Sequence, residues 1–243
     1  MRRFSCDLHI HTTLSPCGSL EMSPSNIVEK AYATGLDVIA VTDHNMTENS
    51  PYVQELGRKR GISVLAGMEL QTIEEIHMLA LFDEYDTALT FQKMAYALLP
   101  DVRNNVEFYG DQVVVDGNNE IVRTEERLLL NSVQISIDDA VKMVKRFNGI
   151  AIPSHIDSQT FSIISQLGYV PEHIAFDALE IRRLEKSDEF LPLIMRKHIP
   201  FVTFSDAHYL NEIGRRTMVF EMEEINCSAI ADAMKLLGLR QDA

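Results

Sequence analysis

A chain of 243 residues with 46% hydrophobic and 24% charged residues has the length for one sizeable α/β core and falls outside the disordered and membrane-embedded classes. Its formal charge of −14 repels phosphate backbones and argues against non-specific binding of long nucleic acid, although divalent cations held by acidic residues would return positive charge to a single cleft. No apolar run approaches the roughly 20 residues of a membrane span and no targeting segment is evident; the three cysteines, Cys6, Cys17 and Cys227, show no paired spacing, so a reducing cytoplasm is the expected setting.

In chain order, short apolar runs predict strands at 4–8 (FSCDL), 37–42 (DVIAVT), 62–67 (ISVLAG), 77–82 (HMLALF), 149–153 (GIAIP), 177–181 (DALEI) and 201–205 (FVTFS). Helical patterns fall between them. Ser23 and Pro24 open one helix that Gly35 stops; Ser136 and Asp139, at capping-box spacing, open another that ends by Gly149. Ser187 opens a third over SDEFLPLIMRKH, which Pro192 must kink or shorten, and residues 226–238 close the chain as an amphipathic helix. This alternation predicts βα units around a parallel sheet or barrel. It breaks at about 83–133, where a helical piece (TALTFQKMAYALL) precedes two β-rich runs joined by DGNN, the pattern of a hairpin inserted across one face.

Six of the eight histidines, His9, His11, His44, His77, His155 and His208, stand at the starts or ends of predicted strands, beside Asp7, Asp43, Glu69 and Asp206; His173 and His198 do not. In parallel α/β folds, loops at the C-terminal strand ends form the functional face, so these side chains converge there. His77 begins its strand, but the few residues after Glu69 leave no room for a crossover helix, so its strand should run antiparallel and bring it to the same face. Alternation would point residues 7, 9 and 11 one way, letting His9 and His11 share an ion while Asp7 accepts a bond from a ligand's second ring nitrogen, with Asp43 serving His44 similarly. A lone histidine is usually structural. So many titratable groups buried together without a metal would be costly. Arg182 and Arg183, after DALEI, could clamp a phosphate or simply pair with carboxylates. No nucleophile elbow or Gly-rich phosphate loop is present.

DLHIHTTLSPCG, GLDVIAVTDHN, AGMEL, HMLALF, PSHID and FSDAH together resemble, in order from Asp7 to His208, the motifs of the PHP (polymerase and histidinol phosphatase) superfamily of metal-dependent phosphoesterases. The resemblance implies a distorted (β/α)7 TIM-like barrel, a single PHP domain over 1–243, with two or three divalent ions (Zn, Fe or Mn). It implies His9, His11, Glu69 and Asp206 around one ion, Glu69, His77 and His155 around a second, and His44 and His208 around a third. Cys17 stands where relatives place an aspartate or histidine; a thiolate there would favour a softer ion. The implied activity is hydrolysis of a phosphodiester or phosphomonoester of a nucleotide or other small phosphorylated substrate by a metal-bridging hydroxide, with no side-chain nucleophile. Exonuclease-like trimming of short oligonucleotides and a non-catalytic, metal-stabilised interaction module are the rival readings.

Overall fold

The computed structural model describes residues 1–195 and 199–241; His198 lies outside the described residues. The chain runs β1 (Arg2–Ile10), α1 (Pro24–Ala33), β2 (Val38–Val41), α2 (Ser50–Arg60), β3 (Ser63–Gln71), β4 (His77–Phe82), α3 (Tyr85–Ala97), α4 (Val106–Tyr109), β5 (Val113–Val115), β6 (Ile121–Thr124), α5 (Ile137–Arg146), β7 (Ile150–Pro153), α6 (Ile163–Leu167), β8 (Leu179–Glu180), β9 (Phe201–Val202), β10 (Met218–Met222) and α7 (Cys227–Gln241). Among the described residues, no helix is long and apolar enough to cross a membrane.

One six-stranded sheet has the order β10-β1-β2-β3-β4-β7. Strands β1, β2 and β3 are parallel, whereas β4 runs antiparallel to both β3 and β7, as the short link before His77 requires. The sheet curls. Parallel β8 and β9 continue it: Asp177 N–H donates to Ala151 O and Ile156 N–H to Glu180 O on the β7 side, and His11 N–H donates to Ala207 O on the β1 side.

Burial sorts the side chains into layers. Leu8, Val38, Leu65, Leu79, Ile152, Val202 and Phe204 meet Ile230 and Met234 of α7 in an inner cluster. Ile39 and Val41 face outward with Ile27 and Val28 of α1 and Val53 of α2. Met68, Met78 and Phe82 pack beneath Phe91 of α3 and Val141 and Val144 of α5. Strict alternation would put Leu8 and Ile10 on one face, yet Leu8 joins the inner cluster and Ile10 the layer under α1. A register break between Asp7 and Ile10 causes this switch, so residues 7, 9 and 11 do not share a face as alternation predicts.

Helix starts follow the local chemistry. Pro24 opens α1 behind Ser23, and the Ser136 hydroxyl accepts from Asp139 N–H at the start of α5. The hairpin tip is real: Asp116 Oδ1 accepts from Asn118 and Glu120 N–H between β5 and β6. Segment 83–133 leans on the loops after β1 and β2. Asn49 bonds Val113 O and Val115 N–H, and a Cβ on Gly110 would stand 2.3 Å from Pro16 O.

The helix expected from Ser187 is absent among the described residues; 3-10 turns occupy Leu184–Glu189 and Leu191–Leu193 instead. Pro192 cannot donate to a helical ladder, and Ser187 lies within a turn rather than before one. The short α6 and the antiparallel β10 carry no strong sequence signal, and β8 and β9 are two residues each, shorter than their apolar runs.

Gly67, two residues before Glu69, has no space for a side chain: a Cβ would lie 2.6 Å from Ala80 O and 2.8 Å from Leu81 Cδ2. Gly67→Ala should therefore destabilise the fold by roughly 1–3 kcal/mol. Urea denaturation followed by circular dichroism checks this, and an unchanged midpoint would show that β3 and β4 are not pressed together there.

Candidate metal centre

The residues expected at strand ends do converge. His9 lies one residue before the end of β1 with His11 just beyond it, His44 follows β2, Glu69 lies near the end of β3, His77 begins β4, His155 follows β7, and Asp206 and His208 follow β9. Pairing sets two of these relations, since His44 bridges to Glu69 and Gln71 is in register with His77. Strain sets two more: His155 has φ +32° and Asp206 φ +52°, left-handed values that non-glycine residues hold only when their surroundings enforce them.

At the centre, the Glu69 carboxylate is 1% exposed and meets five imidazoles. Oε1 lies 3.3 Å from His9 Nε2, 3.2 Å from His77 Nδ1 and 3.3 Å from His155 Nε2. Oε2 lies 3.4 Å from His11 Nε2 and 3.3 Å from His44 Nδ1. Asp206 Oδ1 stands 3.4 Å from His9 Nε2 and 3.5 Å from both His11 Nε2 and His208 Nδ1. Among the described residues, three groups have ligand atoms close enough to hold an ion: His9, His11 and Asp206; His44, Glu69 and His77; and His11, His44 and His208.

The donor set fits metal better than hydrogen bonding. Glu69 Oε1, His44 Nδ1 and His77 Nδ1 are buried without hydrogen-bond partners among the described residues, and the Nε2 atoms of His9 and His11 face each other at 3.2 Å. Two ligand atoms on one tetrahedral ion, each about 2.0–2.2 Å from it, are separated by roughly 3.3–3.6 Å. The carboxylate–imidazole separations match that edge.

The other ring nitrogens are tied back. Both oxygens of Glu180 lie 3.0 Å from His9 Nδ1, and Glu180 Oε2 also accepts from His155 N–H. Gln71 Oε1 lies 3.0 Å from His77 Nε2 and accepts its proton. Ser15 Oγ donates to Asp43 Oδ1 at 2.7 Å and so accepts from His11 Nδ1 at 2.8 Å. Each bond leaves the opposite nitrogen's lone pair aimed at the cluster.

Asp43 thus acts on His11 through Ser15, not on His44. Asp7 meets no ring: it accepts from Ser205 and Gly214 N–H, because the register break turns it away from His9. Glu180, Gln71 and Ser15 are not among the residues that the sequence singles out; Glu180, inside DALEI, carries the one available signal. Arg182 is held by Asp157 through its N–H and Nε on Oδ1 and Nη2 on the carbonyl, and Arg183 Nε stands 3.8 Å from Asp157 Oδ2. Cys17 is exposed and belongs to none of the three groups, and His173 is exposed away from them.

Electrostatics polarises the cluster. Burial alone would lower the His9 imidazole, but Glu180, Glu69 and Asp206 hold it well above its usual value, and Asp206 and Glu69 likewise hold His11 at about 9. Burial alone would raise Glu69, yet His77 and His9 keep it well below the carboxylate range. Burial and then the His11 charge push His44 down, and His208 down to about 4.

The family model of the PHP domain matches residues 7–170. A DNA polymerase III of PolC type from Oceanobacillus iheyensis is 30% identical over 154 residues, which is 63% of this chain but only 9% of that polymerase. Among solved structures, the lesion-specific endonuclease Q of Pyrococcus furiosus aligns with TM-score 0.71 at 17% identity over 97% of this chain and 56% of its own, and endonuclease Q has also been solved with a 27-mer duplex carrying an abasic lesion at its active site. A candidate metal-dependent phosphoesterase from Bifidobacterium adolescentis aligns with TM-score 0.60 at 17% identity over 97% of this chain and 96% of its own.

Glu180→Ala should weaken metal binding by about 10- to 100-fold while the fold persists, measured by competition with a chelator; unchanged affinity would mean that His9 needs no partner. Metal must also displace the protons that His9 and His11 retain, so affinity should climb with pH through about 9, where His11 loses its proton, and level off only above that. Zn²⁺ titrations at about pH 7.5 in buffers of different ionisation enthalpy should report net release of about one proton or more. Heats that do not vary with the buffer would contradict the proton inventory.

Proposed function

The chain belongs to the PHP-domain family, and from that premise we propose that it is a metal-dependent phosphoesterase acting on a phosphodiester or phosphomonoester of a nucleotide or other small phosphorylated substrate. The observation that carries this reading is the buried Glu69 carboxylate shared among five imidazoles, with Asp206 alongside. In this proposal His9, His11, Glu69 and Asp206 hold one divalent ion and Glu69, His77 and His155 a second. His44 and His208, with His11 beside them, hold a third, and Cys17 at the rim is not required. The same reading treats β1–β4 and β7–β9 as a distorted (β/α)7 barrel, one PHP domain with 83–133 as an insertion, and places the chain in the cytoplasm, in keeping with three free thiols.

Zn²⁺, Fe²⁺ or Mn²⁺, when bound, would lower the pKa of coordinated water and neutralise charge developing on the phosphoryl oxygens. The protein's own contribution is orientation. Glu180, Gln71 and Ser15 keep His9, His77 and His11 with their lone pairs inward. His208, held to about 4, stays neutral and able to ligate at physiological pH. Arg182, fixed by Asp157 on the turn after His155, would orient an anionic group of the substrate.

The acidic surface favours small substrates, while the duplex-bound endonuclease Q brings nucleic acid into the panel. Metal analysis should find two or three ions per chain. With Mn²⁺, Zn²⁺ or Fe²⁺, the protein should hydrolyse bis(p-nitrophenyl) phosphate, p-nitrophenyl phosphate, short oligonucleotides or lesion-containing duplex. His9→Ala and Asp206→Ala should each lower the rate by roughly a thousandfold or more. Stoichiometric metal with no turnover on any of these would establish a non-catalytic module instead, and wild-type rates in both variants would sink the metal-centred mechanism.

A further inference from the structure

Phe161 lies on the turn between His155 and α6, its ring 4.8 Å from the His77 ring and 14° from parallel. Its carbonyl accepts from His77 N–H at 2.9 Å, so both ring and main chain are fixed to the first residue of β4. Two features make shielding of His77 an incomplete explanation. Phe161 has φ +56°, a left-handed backbone that a bulky residue adopts only under constraint, and it remains 38% exposed. Covering an imidazole requires only apolar bulk in a relaxed conformation. Here strain is spent on laying a flat ring against a candidate ligand while leaving part of that ring open to solvent.

The same turn carries Asp157, whose carboxylate and carbonyl hold Arg182. A single loop therefore sets an aromatic ring against a candidate ligand and also carries the carboxylate that fixes a guanidinium. Bases stack on aromatic side chains with little regard to sequence, because every base has a π face. On the basis of the phosphoesterase reading, we propose that Phe161 is a specificity-determining residue that stacks a nucleobase, so that the substrate class is the phosphate ester of a nucleoside, either free or at an oligonucleotide end.

The test uses the full chain loaded with Zn²⁺ and titrated with 2-aminopurine riboside 5′-monophosphate, whose fluorescence is quenched by stacking, with ribose 5-phosphate as the base-free competitor. Phosphate release is followed in parallel. The wild type should bind the nucleotide about 5- to 100-fold more tightly than the sugar phosphate, with quenching. Phe161→Trp should keep that preference. Phe161→Leu should lose it at unchanged metal content, a loss that a purely structural role for the ring would not produce. A dinucleotide with 2-aminopurine at its 5′ end distinguishes the two sources: tighter binding than the mononucleotide points to oligonucleotide ends, weaker binding to free nucleotides. Equal wild-type affinity for nucleotide and sugar phosphate overturns the proposal whatever the variants do, and so does full preference with quenching in Phe161→Leu. Turnover without base preference removes the stacking role alone; base preference without turnover on any phosphoester removes the phosphoesterase reading alone.

Discussion

A carboxylate buried to 1% exposure cannot be left uncompensated in a protein interior, and Glu69 is compensated by a shell of imidazoles rather than by arginine or lysine. Imidazoles are weak partners unless they carry protons, and five protonated rings around one carboxylate would repel one another. The cluster is therefore internally divided in the metal-free protein: His9 and His11 hold protons firmly while His44 and His208 give theirs up. Divalent cations held by these residues would resolve the conflict, because their charge would let the imidazoles be neutral while the carboxylates stay charged. The fold supplies this geometry through the reversed strand. Were β4 parallel to β3, His77 would begin at the opposite end of the sheet, away from Glu69.

Around this centre, hydrogen bonds fix which nitrogen of each ring faces inward. Glu180 is the most consequential because it reaches two strands at once, holding His9 Nδ1 from β1 and His155 N–H after β7. Asp7 and the arginines secure the far side. Asp7 accepts from Ser205 N–H, while Arg215 Nε and Arg216 Nη2 donate to Ser205 O, so the residue preceding left-handed Asp206 is gripped at both its N–H and its carbonyl. Strain at His155 and Asp206 is thus localised where surrounding bonds over-determine it, the condition under which such conformations persist.

How much of this is legible in the sequence depends on how locally each feature is determined. The histidines could be placed because strand ends are local events, and the antiparallel β4 followed from the short span between Glu69 and His77. The partners were less legible. Gln71 lies opposite His77 only through strand pairing, and Glu180 reaches His9 across 171 positions, so neither has a spacing signature. The error over Asp7 has a different origin: period-2 reasoning is valid until a bulge, and a register break leaves no residue-level mark in CDLHIH. Cys17 is notable only through the family pattern; the structure leaves it exposed and outside the three candidate groups. The helix expected from Ser187 failed because capping chemistry at one end cannot offset a proline five residues later.

The formal charge of −14 is a poor guide to the site itself. Exposed carboxylates are screened over about 10 Å at 0.1 M salt, whereas groups enclosed by a low-dielectric wall act on whatever enters the cleft. Near the cluster the permanent cations come from the turns after β8 and β9: Arg182 on Asp157, and Arg215 and Arg216 on the carbonyl of Ser205. Arg216 donates to the carbonyls of Phe204 and Ser205, and among the described residues no carboxylate is bonded to it, so Glu180 and Asp206 offset its charge through space. Metal charge beside those carboxylates would leave Arg216 less offset. An acidic protein can in this way carry a local concentration of cationic groups whose effective strength would depend on whether metal sits beside them.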